Sequence, residues 1–70
     1  AQIGDHCHVS TGAIVNGGAT VGEGCMIGSG AIVLQGLAIA AGVVVGAGAV
    51  ATKNIEKAGT WIGVPARRKS

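Results

Sequence analysis

The side chains able to do chemistry are few, and they sit near the two ends of the chain. Asp5-His6-Cys7-His8 puts three metal-ligand or proton-transfer types into four consecutive residues. A zinc site needs three or four convergent ligands, whereas neighbours along a strand point to opposite faces. The run therefore reads as a small inward thiol flanked by outward histidines, and no metal ligand is assigned. His8 is the most interesting of them, because an imidazole on the outside of a rigid strand can meet a ligand or a neighbouring subunit. The plainer alternative is a surface histidine without a role. At the other end Arg67, Arg68 and Lys69 could neutralise phosphates, against the plain reading of a solvated terminus.

One segment imitates a nucleotide-binding motif. Val43 to Ala51 contains G-x-G-x-x-A at Gly46, Gly48 and Ala51, but no acidic residue stands about 20 positions on, where a dinucleotide fold needs one. Paired glycines also recur at Gly22 and Gly24 and at Gly28 and Gly30. Something other than a single phosphate loop sets their spacing.

Composition narrows the classes further. The 70 residues form at most one small domain, which favours oligomerisation. With 14 glycines, one tryptophan and no other aromatic residue, any core must be narrow. The net charge of +2 and the lack of aromatics among the basic residues argue against nucleic-acid binding. Cys7 and Cys25 are too few for a secreted disulfide framework. A reduced pair and a cytoplasmic location are expected. From Ala31 to Ala51 there are 21 residues without a charge, long enough for a membrane span by hydropathy. A regular glycine beat runs through this segment and beyond it on both sides, so no membrane span is expected. No signal peptide is expected, and the chain reads as part of something longer.

That beat defines the elements which position everything else. Counting in sixes from Ile3 gives Ile3, Val9, Val15, Val21, Ile27, Val33, Ile39, Val45 and Ala51, all but the last β-branched. Three residues after each of these, from the second repeat on, stand Gly12, Gly18, Gly24, Gly30, Gly36, Gly42 and Gly48, then Asn54. Glycine, with Asn as its best substitute, marks a backbone turning through a left-handed conformation. The fifth position is mostly small: Cys7, Ala13, Ala19, Cys25, Ala31, Leu37, Val43 and Ala49.

A short strand and a forced turn cannot bury their own apolar side chain, so successive units must wind about a common axis and stack. The expected fold is all-β, a parallel β-helix of three 18-residue coils: Ile3 to Thr20, Val21 to Ala38, and Ile39 to about Glu56, with strands about 4.8 Å apart. The β-helix is expected over residues 1–53, with a loop and basic tail over 54–70. Helices are disfavoured before Lys53 because each interior glycine would cost about 1 kcal/mol. One outer face should carry Ile14, Asn16, Ile32, Leu34, Val50 and Thr52, an apolar surface suited to contact around a three-fold axis. At one corner Thr11, Ser29 and Ala47 should stack, a small-residue groove that admits a long ligand lying along the axis.

The segments D-H-C-H-V-S-T-G-A-I-V-N-G-G and G-A-G-A-V-A-T-K, with the closing W-I-G-V-P-A-R-R, resemble the hexapeptide-repeat acyltransferases. More narrowly, they look like the C-terminal part of the sialic acid and nucleotide-amino-sugar acetyltransferases. The resemblance spans essentially the whole chain and implies a left-handed β-helix. It also implies acetyl-CoA as cofactor, a sugar amine or hydroxyl as acceptor, and a homotrimer with sites between subunits. It places His8, Gly17, Ser29 and Ala47 at coenzyme-contacting positions. The family's catalytic histidine would precede Ile3-Gly4-Asp5, upstream of Ala1, as would its nucleotide-sugar-binding domain. No catalytic residue is therefore assigned, and this chain alone is expected to bind coenzyme with little or no activity. The competing expectation is a non-catalytic trimerisation scaffold.

Overall fold

The computed structural model describes residues 1–69. Every regular element among them is a short strand: β1 (Gln2–Ile3), β2 (His8–Val9), β3 (Ile14–Val15), β4 (Thr20–Val21), β5 (Met26–Ile27), β6 (Ile32–Val33), β7 (Ala38–Ile39), β8 (Val43–Val45), β9 (Val50–Ala51), β10 (Gly59–Ile62) and β11 (Arg67–Arg68). The β-branched residue at position one of each repeat favours extended backbone. Three residues later the chain turns, and Gly12 through Gly48 hold φ between 70° and 74° at every sixth position. That is the left-handed region where a Cβ is costly.

Three such turns bring each strand beneath the one 18 residues earlier. Gln2 pairs with Thr20, His8 with Met26 and Ile14 with Ile32, all in parallel register. The coils stack into a left-handed prism with three faces. The first face holds β1, β4 and β7; the second holds β2, β5, β8, β10 and β11; the third holds β3, β6 and β9. Position-one residues Val21, Ile27, Val33, Ile39, Val45 and Ala51 are buried together with position-five residues Ala19, Cys25, Ala31, Val43 and Ala49. Ile3 and Val9 occupy the same register in the first coil but line the open end of the stack, where they are 42% and 44% exposed.

Within the coils, three features depart from a regular repeat. Asn54 does not take the left-handed turn; its carboxamide oxygen instead accepts a hydrogen bond from the Ala38 amide at 2.9 Å. His6, at the equivalent place in the first repeat, does take it, with φ of 61°. The third coil is two residues short, because Ile39 bridges to Ile55 and Val43 pairs with Gly59. The six-residue beat stops after Ala51, and the Asn54 side chain serves the backbone donor that a full repeat would have served.

From residue 54 on, where a loop and basic tail were expected, the prism continues. Ile55 is part of the core. β10 extends the second face in parallel with β8, and β11 folds back antiparallel on β10, pairing Trp61 with Arg68 and Ile62 with Arg67. No helix of the described residues is long and apolar enough to cross a membrane.

Candidate functional site

The corners of the prism follow from the strand order. The corner between the second and third faces is built by the turns after β2, β5 and β8, and it stacks Thr11, Ser29 and Ala47. Two hydrogen bonds along the axis fix the stack: Gly30 N–H donates to the Thr11 carbonyl at 3.1 Å and Gly48 N–H donates to the Ser29 carbonyl at 2.9 Å. All three residues are exposed, so the small-residue corner anticipated from the sequence is a real surface feature.

The floor of this corner admits no thickening. A Cβ built on Gly28 would stand 2.6 Å from the Ala47 nitrogen and 2.9 Å from the Val45 oxygen. Those are main-chain atoms, which cannot give way as a side-chain tip would. Sequence reasoning missed this glycine, although the paired glycines carried the signal: the second of each pair turns the chain and the first marks close approach of two coils.

His8 lies on β2, exposed, on the second face next to that corner. Beneath it on the same face are Met26 and then Val44. Gly17 is elsewhere. It lies on the corner between the third and first faces, exposed, with no atom within 4 Å of a Cβ built on it. Within one chain, then, the structure joins His8, Ser29 and Ala47 along one edge of the third face and sets Gly17 on the opposite edge.

The third face between those edges is apolar. Ile14 and Leu34 are 49% and 40% exposed, while Ile32 and Val50 are half-buried. Asn16 turns its carboxamide back to donate to the Val33 carbonyl at 3.0 Å, which leaves the exposed Thr52 as the polar side chain of this set open to solvent.

At the C-terminal end there is a cleft of about 400 Å³ between the end of the third coil and β11. Lys53, Arg67 and Arg68 bring three cations to it, and Trp61 supplies an aromatic wall. The Trp61 indole N–H is anchored on the Lys57 carbonyl at 3.2 Å. The sequence located the cations but not the cleft, because only the short third coil and the fold-back of β11 bring Lys53 and Arg67 to one place.

The remaining candidates are engaged in the fold. Both cysteines are free thiols. Cys7 donates to the Gly22 carbonyl at 3.1 Å and Cys25 donates to the Ala40 carbonyl at 3.0 Å. Burial pushes the Cys25 thiol up from its ordinary value, so it stays protonated at neutral pH. No three His, Cys, Asp or Glu side chains converge among the described residues.

Comparison with known proteins accords with this geometry. The chain is similar to the acetyltransferase domain of PglB from Neisseria gonorrhoeae, with 38% identity, a TM-score of 0.87, and coverage of 90% of this chain and 31% of that one. The same domain in complex with acetyl coenzyme A superimposes with a TM-score of 0.86 at 38% identity, over 90% of this chain and 31% of that one. PerB from Caulobacter crescentus, solved with CoA and GDP-perosamine, matches at 38% identity and a TM-score of 0.93 over 97% of this chain and 33% of that one. This chain thus spans about a third of the length of these structures. No curated protein matches it. The family model for the bacterial transferase hexapeptide (six repeats) matches residues 1–35, half of the chain. With a left-handed turn at every sixth residue and a prism wound from those repeats, the chain belongs to the bacterial transferase hexapeptide family.

Proposed function

We propose that this chain is the coenzyme-binding β-helix of an acetyl-CoA-dependent sugar acetyltransferase, and that it works as a homotrimer. One observation carries the reading: the residues assigned to the coenzyme border a single apolar face, on its two opposite edges. Three prisms packed with that face toward a common three-fold axis bury Ile14, Ile32, Leu34 and Val50. The Ser29–Ala47 edge of one protomer then lies alongside the Gly17 edge of the next.

The groove formed between those edges is narrow, walled by small residues and parallel to the prism axis. A pantetheine arm fits such a groove, since it is long, thin and able to hydrogen bond with exposed backbone along its length. His8 stands beside the groove at the N-terminal end, where its imidazole can donate to the thioester carbonyl. At the far end Lys53, Arg67 and Arg68 face the phosphates of the nucleotide, and charged hydrogen bonds to phosphate are among the stronger polar contacts.

Acyl transfer itself requires an acceptor nitrogen or oxygen to attack the thioester carbonyl, after which the carbon–sulfur bond breaks and the coenzyme leaves as its thiol. The residues named here hold and orient the coenzyme for that step and do not abstract the acceptor's proton. The acceptor we favour is an amino or hydroxyl group of a nucleotide-linked sugar, on the support of PerB, whose structure contains GDP-perosamine.

The test is Ser29→Trp. Ser29 is exposed at the corner, so a bulky side chain there fills the groove without entering the core. Acetyl-CoA binding measured by calorimetry is expected to be lost while sedimentation shows an intact trimer. Unchanged affinity in an intact trimer would remove the groove from the reading and leave a scaffold role in its place.

A further inference from the structure

Two nucleophilic side chains have no part in the coenzyme groove, and they occupy neighbouring places in the stack. Of the inward fifth positions of the repeats, only the first and fourth carry cysteine, and they are 18 residues apart, one full coil. His8 N–H donates to the Cys25 carbonyl at 2.9 Å, and His8 pairs with Met26. Cys7 therefore lies directly over Cys25. In-register strands put the two Cα atoms about 4.8 Å apart, inside the window of about 4.4–6.8 Å that disulfides occupy.

Both thiols lean the same way along the stack: Cys7 directs its Sγ to the Gly22 carbonyl, in the coil that carries Cys25, and Cys25 directs its own to the Ala40 carbonyl of the next coil. Cys7 is half-buried near the open end of the prism, and Cys25 is buried beneath it. A small oxidant reaches the first sulfur more easily than the second.

We propose that Cys7 and Cys25 form an oxidisable dithiol, which a hydroperoxide converts into an intrachain disulfide. The Cys7 sulfur, as thiolate, attacks one peroxide oxygen and breaks the O–O bond, giving a sulfenic acid and one water from hydrogen peroxide. The Cys25 sulfur then attacks the Cys7 sulfur and displaces the hydroxyl as a second water. Each sulfur is oxidised by one electron, both peroxide oxygens are reduced, and the two thiol protons leave in the two waters. The raised pKa of Cys25 makes the second step slow at neutral pH. The bond would tie the first coil to the second immediately before His8 and Met26.

The experiment treats the folded chain with hydrogen peroxide and measures intact mass and alkylatable thiols under non-reducing conditions. Met26, 46% exposed beside the pair, reports peroxide delivery through its own sulfoxide. The expected result is loss of two hydrogens with both thiols disappearing together, no covalent multimer, and reversal by dithiothreitol. Cys7→Ser, which retains a hydrogen-bonding group of similar size at a half-buried position, should abolish the loss and keep one alkylatable thiol. Thiols that remain alkylatable after Met26 is oxidised would overturn the proposal. Oxygen added to cysteine without hydrogen loss, or disulfides only between chains, would do the same.

Discussion

Replacing three glycines one at a time by alanine separates three physical causes that the sequence alone merges. Gly17 has ordinary φ and open space where a Cβ would go, so Gly17→Ala should change stability by no more than about 0.5 kcal/mol in either direction. Gly30 also has open space but holds φ at 70°. Alanine there is strained whatever the room, at a cost of roughly 1–2 kcal/mol. Gly28 has ordinary φ, yet its Cβ would lie 2.6 Å from the Ala47 nitrogen and 2.8 Å from the Gly46 carbonyl carbon. Relief requires the third coil to move away from the second along a hydrogen-bonded ladder, so Gly28→Ala should cost about 3 kcal/mol, the upper part of the range for overpacking, or more. Urea unfolding at one fixed protein concentration gives the three values, the fixed concentration being necessary because dissociation of the proposed trimer would contribute to the measured stability. The order expected is Gly28→Ala worst, then Gly30→Ala, then Gly17→Ala. If Gly28→Ala is as benign as Gly17→Ala, the close approach of the coils at this corner is not what requires glycine there.

Other outcomes follow from the same geometry. Ile32→Lys places a charge at the middle of the third face and should convert the proposed trimer to monomer in sedimentation; a persisting trimer would mean that another face makes the contact. Arg67→Ala should weaken acetyl-CoA binding roughly tenfold, the effect of losing one charged hydrogen bond of about 1.5 kcal/mol, and should reduce the salt dependence of binding; unchanged affinity would detach the cleft from the nucleotide. Burial raises the Cys25 thiol above its ordinary value of 9.0. The unfolded chain then loses that proton first, so stability is full below this value and falls as pH rises from it through the folded pKa. Cys25→Ala should flatten that alkaline decline in thermal melts, and an identical decline in the variant would assign it to other groups.

The repeat made most of the fold legible in advance. A β-branched residue and a glycine on one six-residue beat leave few options for burying the apolar positions, and Val21, Ile27, Val33 and Val45 stand where the beat places them. Legibility ended where the beat ended. Asn54 looked like one more left-handed turn, but its side chain serves Ala38 instead. Nothing local in Gly59-Thr60-Trp61-Ile62 announces a strand, because its pairing partner is Val43–Val45, a coil away.

The candidate site divides in the same manner. Stacking at 18-residue spacing placed Ser29 over Ala47 from arithmetic alone. The cleft shared by Lys53 and Arg67 depends on the shortened third coil and on β11, which periodicity cannot foresee. Gly28 was hidden for a different reason: its role is set by main-chain atoms of the next coil, and no side-chain pattern records that distance.

The most direct measurement is calorimetric titration of the purified chain with acetyl-CoA, at a concentration where sedimentation has established the oligomeric state. Saturable binding by a trimer with one coenzyme per chain is the predicted result. A well-formed trimer that binds none would contradict the account.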